Sequence, residues 1–430
     1  NDFTSTNLAT TDQVTDTPTN NFATYNPLNI INSGATFENG KLVHNKATTG
    51  YAGAVATMPV PTTGKWAFKI KITGSVSGSN DGILGLFADI SGNFYNDGAI
   101  QGVASYYNFV GIAAYSDGGF RYQFDDGGST EHFNGPACVT DDEFEFLVDR
   151  DGGTVDIVKN GSAYGTQLTG LPSDTQMWPG SVNYATNTTA TFNYTPSDTD
   201  YKTLCTDNLA EPTIKNSKKY YDNILYEGTG FSQKAGQFQP MTESYTVGNS
   251  ALFIDDDSCY LSRTPSLVGN RTTMTFSFWF KKGNNGIQEL LQSVTGLSNY
   301  ISFNTTNTFQ LNTSGSGELR TTRTFEDSTQ WYHFLVAIDT TQSTAADRLK
   351  IYVNGVQETD FGSETYPAQM TEMTWNTATG HFVGQSGSTS LFVDGYMAET
   401  HFIDGQGLTS STFGEVDSTT NRWIPKEYSY

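Results

Sequence analysis

The stretch TMTFSFWFKK, residues 273–282, alternates Met274, Phe276, Phe278 and Phe280 with Thr275, Ser277 and Trp279. A period of two puts the first set on one face of an extended chain, so this segment is predicted to be a strand with one deeply buried side. KWAFKIKI (65–72) repeats the pattern, with Trp66, Phe68, Ile70 and Ile72 opposite Lys65, Lys69 and Lys71. Comparable runs stand at GILGLFADI, NFVGIAAYS, EFEFLVDRDGGTVDIVKNG, YISFN, WYHFLVAIDT, HFVGQ and SLFVDGYMAETHFIDG. Two of the hairpins end alike, RLKIYVNGVQ at Asn354-Gly355 and GTVDIVKNGSAYG at Asn160-Gly161. Asn-Gly readily takes the positive φ that a tight two-residue turn requires, so each dipeptide predicts a hairpin.

The runs fall into two groups, separated by segments without strand or helix periodicity. Residues 1–28, rich in Thr, Asn, Asp and Pro, read as an extended arm, and residues 200–243, with Pro212 and a polar cluster at 215–219, read as a second linker. The expected organisation is all-β: two antiparallel β-sandwiches in series, over 29–199 and 244–430, joined by extended linkers. A chain of 430 residues is also too long for one ordinary core.

Composition narrows the function. The 43 glycines, 13% aromatic residues and only 16% charged residues suit sheets and turns rather than helices. A formal net charge of -22 disfavours nucleic acid and anionic membrane as partners. No apolar run approaches the ~18 residues of a membrane span. Cys138, Cys205 and Cys259 are too widely spaced for a zinc motif and odd in number for a disulfide framework, so burial as small apolar groups is expected.

KWAFKIKI, DEFEFLVDRDGGTVDIVKNG and MWPGSVNY together resemble a SPRY domain, a β-sandwich used for binding. The second half resembles a laminin-G or concanavalin-A-like jelly roll, through SCYLSRTPSLVGNRTTMTFSFWFKK, WYHFLVAIDTTQSTAADRLKIYVNGVQ and FVDGYMAETHFIDGQGLTSSTFGEVDSTTNRWIPKEY. The combination is similar to structural proteins of tailed phages. That resemblance implies a non-enzymatic fibre, appendage or surface decoration, located on the virion surface or extracellularly, which assembles and displays and binds host-surface glycans. An extracellular bacterial lectin or adhesin and a polysaccharide-degrading glycoside hydrolase are the alternatives. The resemblance further implies that the jelly roll lacks its final strand. The chain is then one segment of a longer protein or one subunit of a head-to-tail assembly, its open sheet edge covered by a neighbouring copy or repeat.

Candidate chemistry is sparse. Glu143 and Glu145 share a strand face as a glycosidase pair would, but a solvated face explains them as well. The five histidines do not cluster, and His333 and His401 lie in aromatic runs where packing is expected. Asp255-Asp256-Asp257 is a candidate calcium ligand set, with solvation of a turn as the simpler reading; no cofactor is required. Tyr106, Tyr107, Tyr115 and Trp375 are candidate carbohydrate-binding aromatics, with core packing or a protein interface as the competing roles.

Overall fold

The structure is a computed structural model that describes residues 3–31, 34–46, 52–74, 82–88, 109–114, 120–124, 133–134, 138–183, 188–210, 245–293, 299–313, 317–387 and 391–429. These residues form strands, antiparallel in all but one pairing, and short 3-10 turns, as the alternation predicts, and they divide into two compact units. One comprises Phe22–Leu209; the other joins Asn1–Asn21 to Ala210–Tyr430.

In the Phe22–Leu209 unit, one sheet runs in the order Tyr25–Ile31, Ala52–Ala56, Trp178–Asn183, Gly82–Phe87, Phe109–Ala114, Phe120–Phe124, Phe133–Asn134. The other runs Ser162–Ala163, Thr154–Lys159, Glu143–Asp149, Lys65–Thr73, Thr189–Asn193, Val43–Lys46, Ala35–Glu38. Phe68 and Phe146 stack across neighbouring strands at 4.9 Å within a buried set that includes Ile70, Phe144, Val148 and Leu84. The short strand Lys202–Thr203 lies parallel to Lys65–Thr73, so this unit runs past the expected boundary at residue 199.

The second unit is also two-layered. Its eight-stranded sheet has the order Thr4–Thr6, Tyr260–Arg263, His381–Val383, Gln288–Ser293, Asn299–Phe303, Thr308–Thr313, Glu318–Thr324, Phe361–Thr365. Its seven-stranded sheet has the order Gln13–Val14, Ser250–Phe253, Gly395–Asp404, Thr273–Lys282, Tyr332–Asp339, Leu349–Val353, Val356–Gln357. Between them lies an aromatic core in which Phe309 and Phe334 stack at 4.4 Å, with Phe278, Phe280, Phe303 and Phe325 around them. Each such ring, fully buried, contributes about 2–3 kcal/mol of transfer free energy. On the far face of the seven-stranded sheet, Phe413 and the partly buried Tyr428 pack over Leu335, Tyr352 and Ile403. Thr273–Lys282 is buried on this face too, with Trp279 against His333 and Lys281 against Asp16 of the N-terminal arm.

The principal departure concerns residues 1–28, expected to be a linker along a surface. Thr4–Thr6 pairs with Tyr260–Arg263 and Gln13–Val14 with Ser250–Phe253, so the arm adds one strand to each sheet of the C-terminal sandwich. Tyr25–Ile31 already belongs to the other unit. Strands of two or three residues are too short to show a period, and their partners lie more than 230 positions away.

Candidate functional site

The Gly395–Asp404 strand pairs with Thr273–Lys282 through a one-residue bulge: Phe280 faces Met397 and Phe276 faces Phe402, with the register shifting between Ser277 and Trp279. Glu399, at φ 49°, sits in the bulge. Beyond it, Phe402 and Asp404 lie opposite the core residues Phe276 and Met274. By register Phe402 belongs to the core, yet it is 40% exposed while Phe276 is 4% exposed. Here the two sheets part. The gap is a cavity of about 650 Å³, lined on one side by Phe276, Phe402 and Asp404 and on the other by Val383, Leu291 and the 263–269 loop.

A chain of rings forms one side of it. Phe402 lies 5.0 Å from Phe276, Phe276 lies 4.7 Å from Trp375, and Trp375 lies 6.1 Å from His381. Leu267, Val268 and Phe3, all exposed, stand at the rim. Beside the rings is a fixed polar group. The Asn376 side-chain amide donates to Asp404 Oδ1 (2.7 Å) and to the Asn270 carbonyl (3.1 Å), and the Asn270 N–H donates to the same Asp404 oxygen (2.9 Å). The Asn376 N–H donates to His381 Nε2 (3.0 Å), which leaves Nδ1 to carry the proton given to the Thr379 carbonyl (2.8 Å). Burial holds the His381 imidazole below its ordinary pKa, and the Arg263 charge pushes the same way. A neutral imidazole in one tautomer results. Gly269 closes over this group so tightly that an added Cβ would meet Asn376 Nδ2 at 2.1 Å. Trp375 Nε1 and Arg263 Nε, both buried in the lining residues, make no hydrogen bond among the described residues. Such unmet donors cost free energy and favour an oxygen-rich ligand or water.

The structure revises several expectations from the sequence. Trp375 is no exposed stacking platform: it is 2% exposed, packed on Phe276, and contributes to the cavity from beneath. The exposed ring of the cavity wall is Phe402. Tyr106, Tyr107 and Tyr115 lie outside the described residues. Asp255, Asp256 and Asp257 stand together at a turn, and among the described residues no group of three or more His, Cys, Asp or Glu side chains converges. Asp255 accepts the Asp256 N–H and the Asn284 amide, and burial followed by the Asp256 charge raises its carboxyl pKa. The turn they form holds the N-terminal arm: Asn7 Nδ2 donates to the Asp257 carbonyl at 2.7 Å. Glu143 is ion-paired with Lys69, while Glu145 is buried and accepts two hydrogen bonds from Ser197. His333 is fully buried, bonded to Ser277 and Trp423, and its pKa is pushed down to about 3 by burial. Cys138, Cys205 and Cys259 are buried and form no disulfide.

Residues 255–412 match the family model described as the concanavalin A-like lectin/glucanases superfamily, Laminin_G_3. That span contains most of the cavity lining. Among curated proteins no relative matches the chain. Similar solved structures include the SPRY domain of human HERC1, at 15% identity, covering 39% of this chain and 96% of that one, with a TM-score of 0.31. Another is domain 4 of the arabinanase AbnA from Geobacillus stearothermophilus in complex with arabinotriose, at 17% identity, covering 39% and 75%, TM-score 0.29. A heptameric SAP-like pentraxin from Limulus polyphemus is 13% identical, covering 39% and 85%, TM-score 0.28.

Proposed function

We propose that the protein is a non-enzymatic glycan-binding display protein, and that the sugar sits in the cavity of the concanavalin A-like region. The observation that carries this reading is the half-open Phe402 ring standing beside the Asn376–Asp404 pair in a cavity of about 650 Å³. A pyranose has one C–H-rich face that packs on an aromatic ring and a rim of hydroxyls that donate and accept. Both internal donors to Asp404 converge on Oδ1, so Oδ2 is the oxygen placed to take a sugar hydroxyl. The volume lies within the ~300–1,000 Å³ typical of small-ligand sites. A viral particle surface as the place of display is supported by the sequence resemblance alone; mass spectrometry of purified virions tests it.

The cavity reading is tested on a glycan array followed by calorimetry. Phe402→Ala and Asp404→Ala should each weaken binding roughly tenfold or more, since a stacking contact and a charged hydrogen bond are each worth about 1–2 kcal/mol. Both variants should stay folded with a modestly lower melting temperature, because Phe402 packs on Phe276 and Asp404 accepts from Asn376 and Asn270, so affinity is compared well below the melt. Wild-type affinity retained in both variants would remove the sugar from this cavity. Shorter saccharides accumulating from the bound glycan would overturn the non-enzymatic reading.

A further inference from the structure

Lys281 stands near the end of the Thr273–Lys282 strand, 1% exposed, and two residues of the N-terminal arm meet its ammonium. Asp16 Oδ2 accepts from Nζ at 2.7 Å, and Asn21 Oδ1 accepts from the same nitrogen at 2.7 Å. Both partners are 5% exposed. The Tyr396 ring lies 5.3 Å from Nζ, and Trp331 Nε1 donates to the other Asp16 oxygen at 3.0 Å, so two buried aromatic side chains help to wall the group off from water. The Asn21 amide is held at its other end too, Nδ2 donating to the Thr329 carbonyl at 3.0 Å.

An amine, an amide carbonyl and a carboxylate fixed together in a dry site are the reactants of an acyl transfer. Because a C=O bond is about 1.23 Å long, Nζ lies within about 4 Å of Asn21 Cγ, close to the separation from which bonds form. Burial lowers the Lys281 pKa against the pull of the Asp16 charge, which favours the neutral, nucleophilic amine.

We propose that Lys281 and Asn21 join covalently, through an amide between Nζ and Cγ, with Asp16 as the catalytic carboxylate. Asp16 takes a proton from the ammonium, the Nζ–Cγ bond forms, and the Cγ–Nδ2 bond breaks. Of the three ammonium protons, one ends on Asp16, one leaves with ammonia and one stays on the new amide. No oxidant or cofactor enters the balance, and two buried opposite charges are removed. The bond closes a loop of 260 positions and bolts the arm to the sandwich. Tension between the arm and the C-terminal sandwich then passes through Lys281 and bypasses the Phe22–Leu209 unit.

Mass spectrometry of the purified chain tests this, independently of what the cavity binds. The intact mass should fall below the sequence mass by one ammonia. Trypsin, which does not cut after an acylated lysine, should release residues 1–41 joined to 272–282. Asn160-Gly161 and Asn354-Gly355 can also lose ammonia by cyclising, so the joined peptide decides. Lys281→Met and Asn21→Ala should each abolish it, and Asp16→Ala should lower the joined fraction at least tenfold, the loss of a general base. The wild-type peptide is read without any variant, so the test stands even where one fails to fold. A wild type that melts cooperatively yet yields the two peptides separately overturns the proposal; undiminished joining in Asp16→Ala overturns the role given to Asp16.

Discussion

Asn354 and Asn160 do the same work in two separate units. Each has a positive φ (48° and 49°), donates its N–H to a carbonyl on the preceding strand (His333 or Glu143) and accepts the N–H of that same residue through Oδ1. The glycines that follow differ. A Cβ on Gly355 would lie 2.3 Å from the Trp423 ring, whereas one on Gly161 would meet nothing within 4 Å. Both have φ near +80°, so both resist substitution. Gly161→Ala should cost about 1 kcal/mol of backbone strain, and Gly355→Ala about 2–4 kcal/mol, because Trp423 must also move. Urea melts followed for each unit's transition should show that order; equal costs would contradict the packing described. The turn residues are visible in the chain as dipeptides. The neighbour that makes one of them costlier, Trp423, is not.

Long strands were legible and short ones were not, for a physical reason. A ten-residue run such as Thr273–Lys282 shows five cycles of alternation, whereas Gln13–Val14 shows one, and its meaning depends on Ser250–Phe253. The same limit applies to the site. Trp375 was a candidate, but Gly269, Asn376 and the Phe402–Asp404 pair come from three distant segments, and nothing local says where two sheets part. Burial of charge also escapes a pattern reading. Lys281 and Lys282, consecutive at the end of one strand, are each 1% exposed. Lys281 meets the arm, and Asp16→Asn should destabilise the unit by about 3 kcal/mol by leaving a buried ammonium without its carboxylate. Lys282 donates to Asn307 Oδ1 and the Phe325 carbonyl, over the Phe303 ring, and burial pushes its pKa down to about 7. A lowered folded pKa means that the penalty is absent above about 10.5, grows as pH falls, and is complete below about 7. Lys282→Met should therefore gain on the wild type between pH 9 and pH 6, by an amount on the order of 3 kcal/mol. Glu289, on the Gln288–Ser293 strand, has the opposite sense. Burial raises its pKa to about 7, so the folded state is penalised only as pH rises from about 4.5 toward 7. Glu289→Gln should raise the melting temperature at pH 8 and leave it unchanged at pH 4; a uniform shift would refute the assignment.

For the whole molecule, a net charge of -22 sets a background of self-repulsion. Raising sodium chloride from low to physiological strength should raise the melting temperatures modestly, through screening of exposed acids. A drop would mean that the ion pairs outweigh the repulsion. The bulge at Glu399 bears on the whole sandwich as well. Before it, odd-numbered Met397 points to the core; after it, even-numbered Phe402 and Asp404 do. Inserting one further residue after Thr400, with the bulge kept at one residue, would send His401 and Ile403 inward and turn the Phe402 ring and the Asp404 carboxylate out, whereas deleting Thr400 would only close the bulge. A single inserted residue thus works as a frame marker: where the Phe402 ring and the Asp404 carboxylate face is encoded in counting as much as in residue identity.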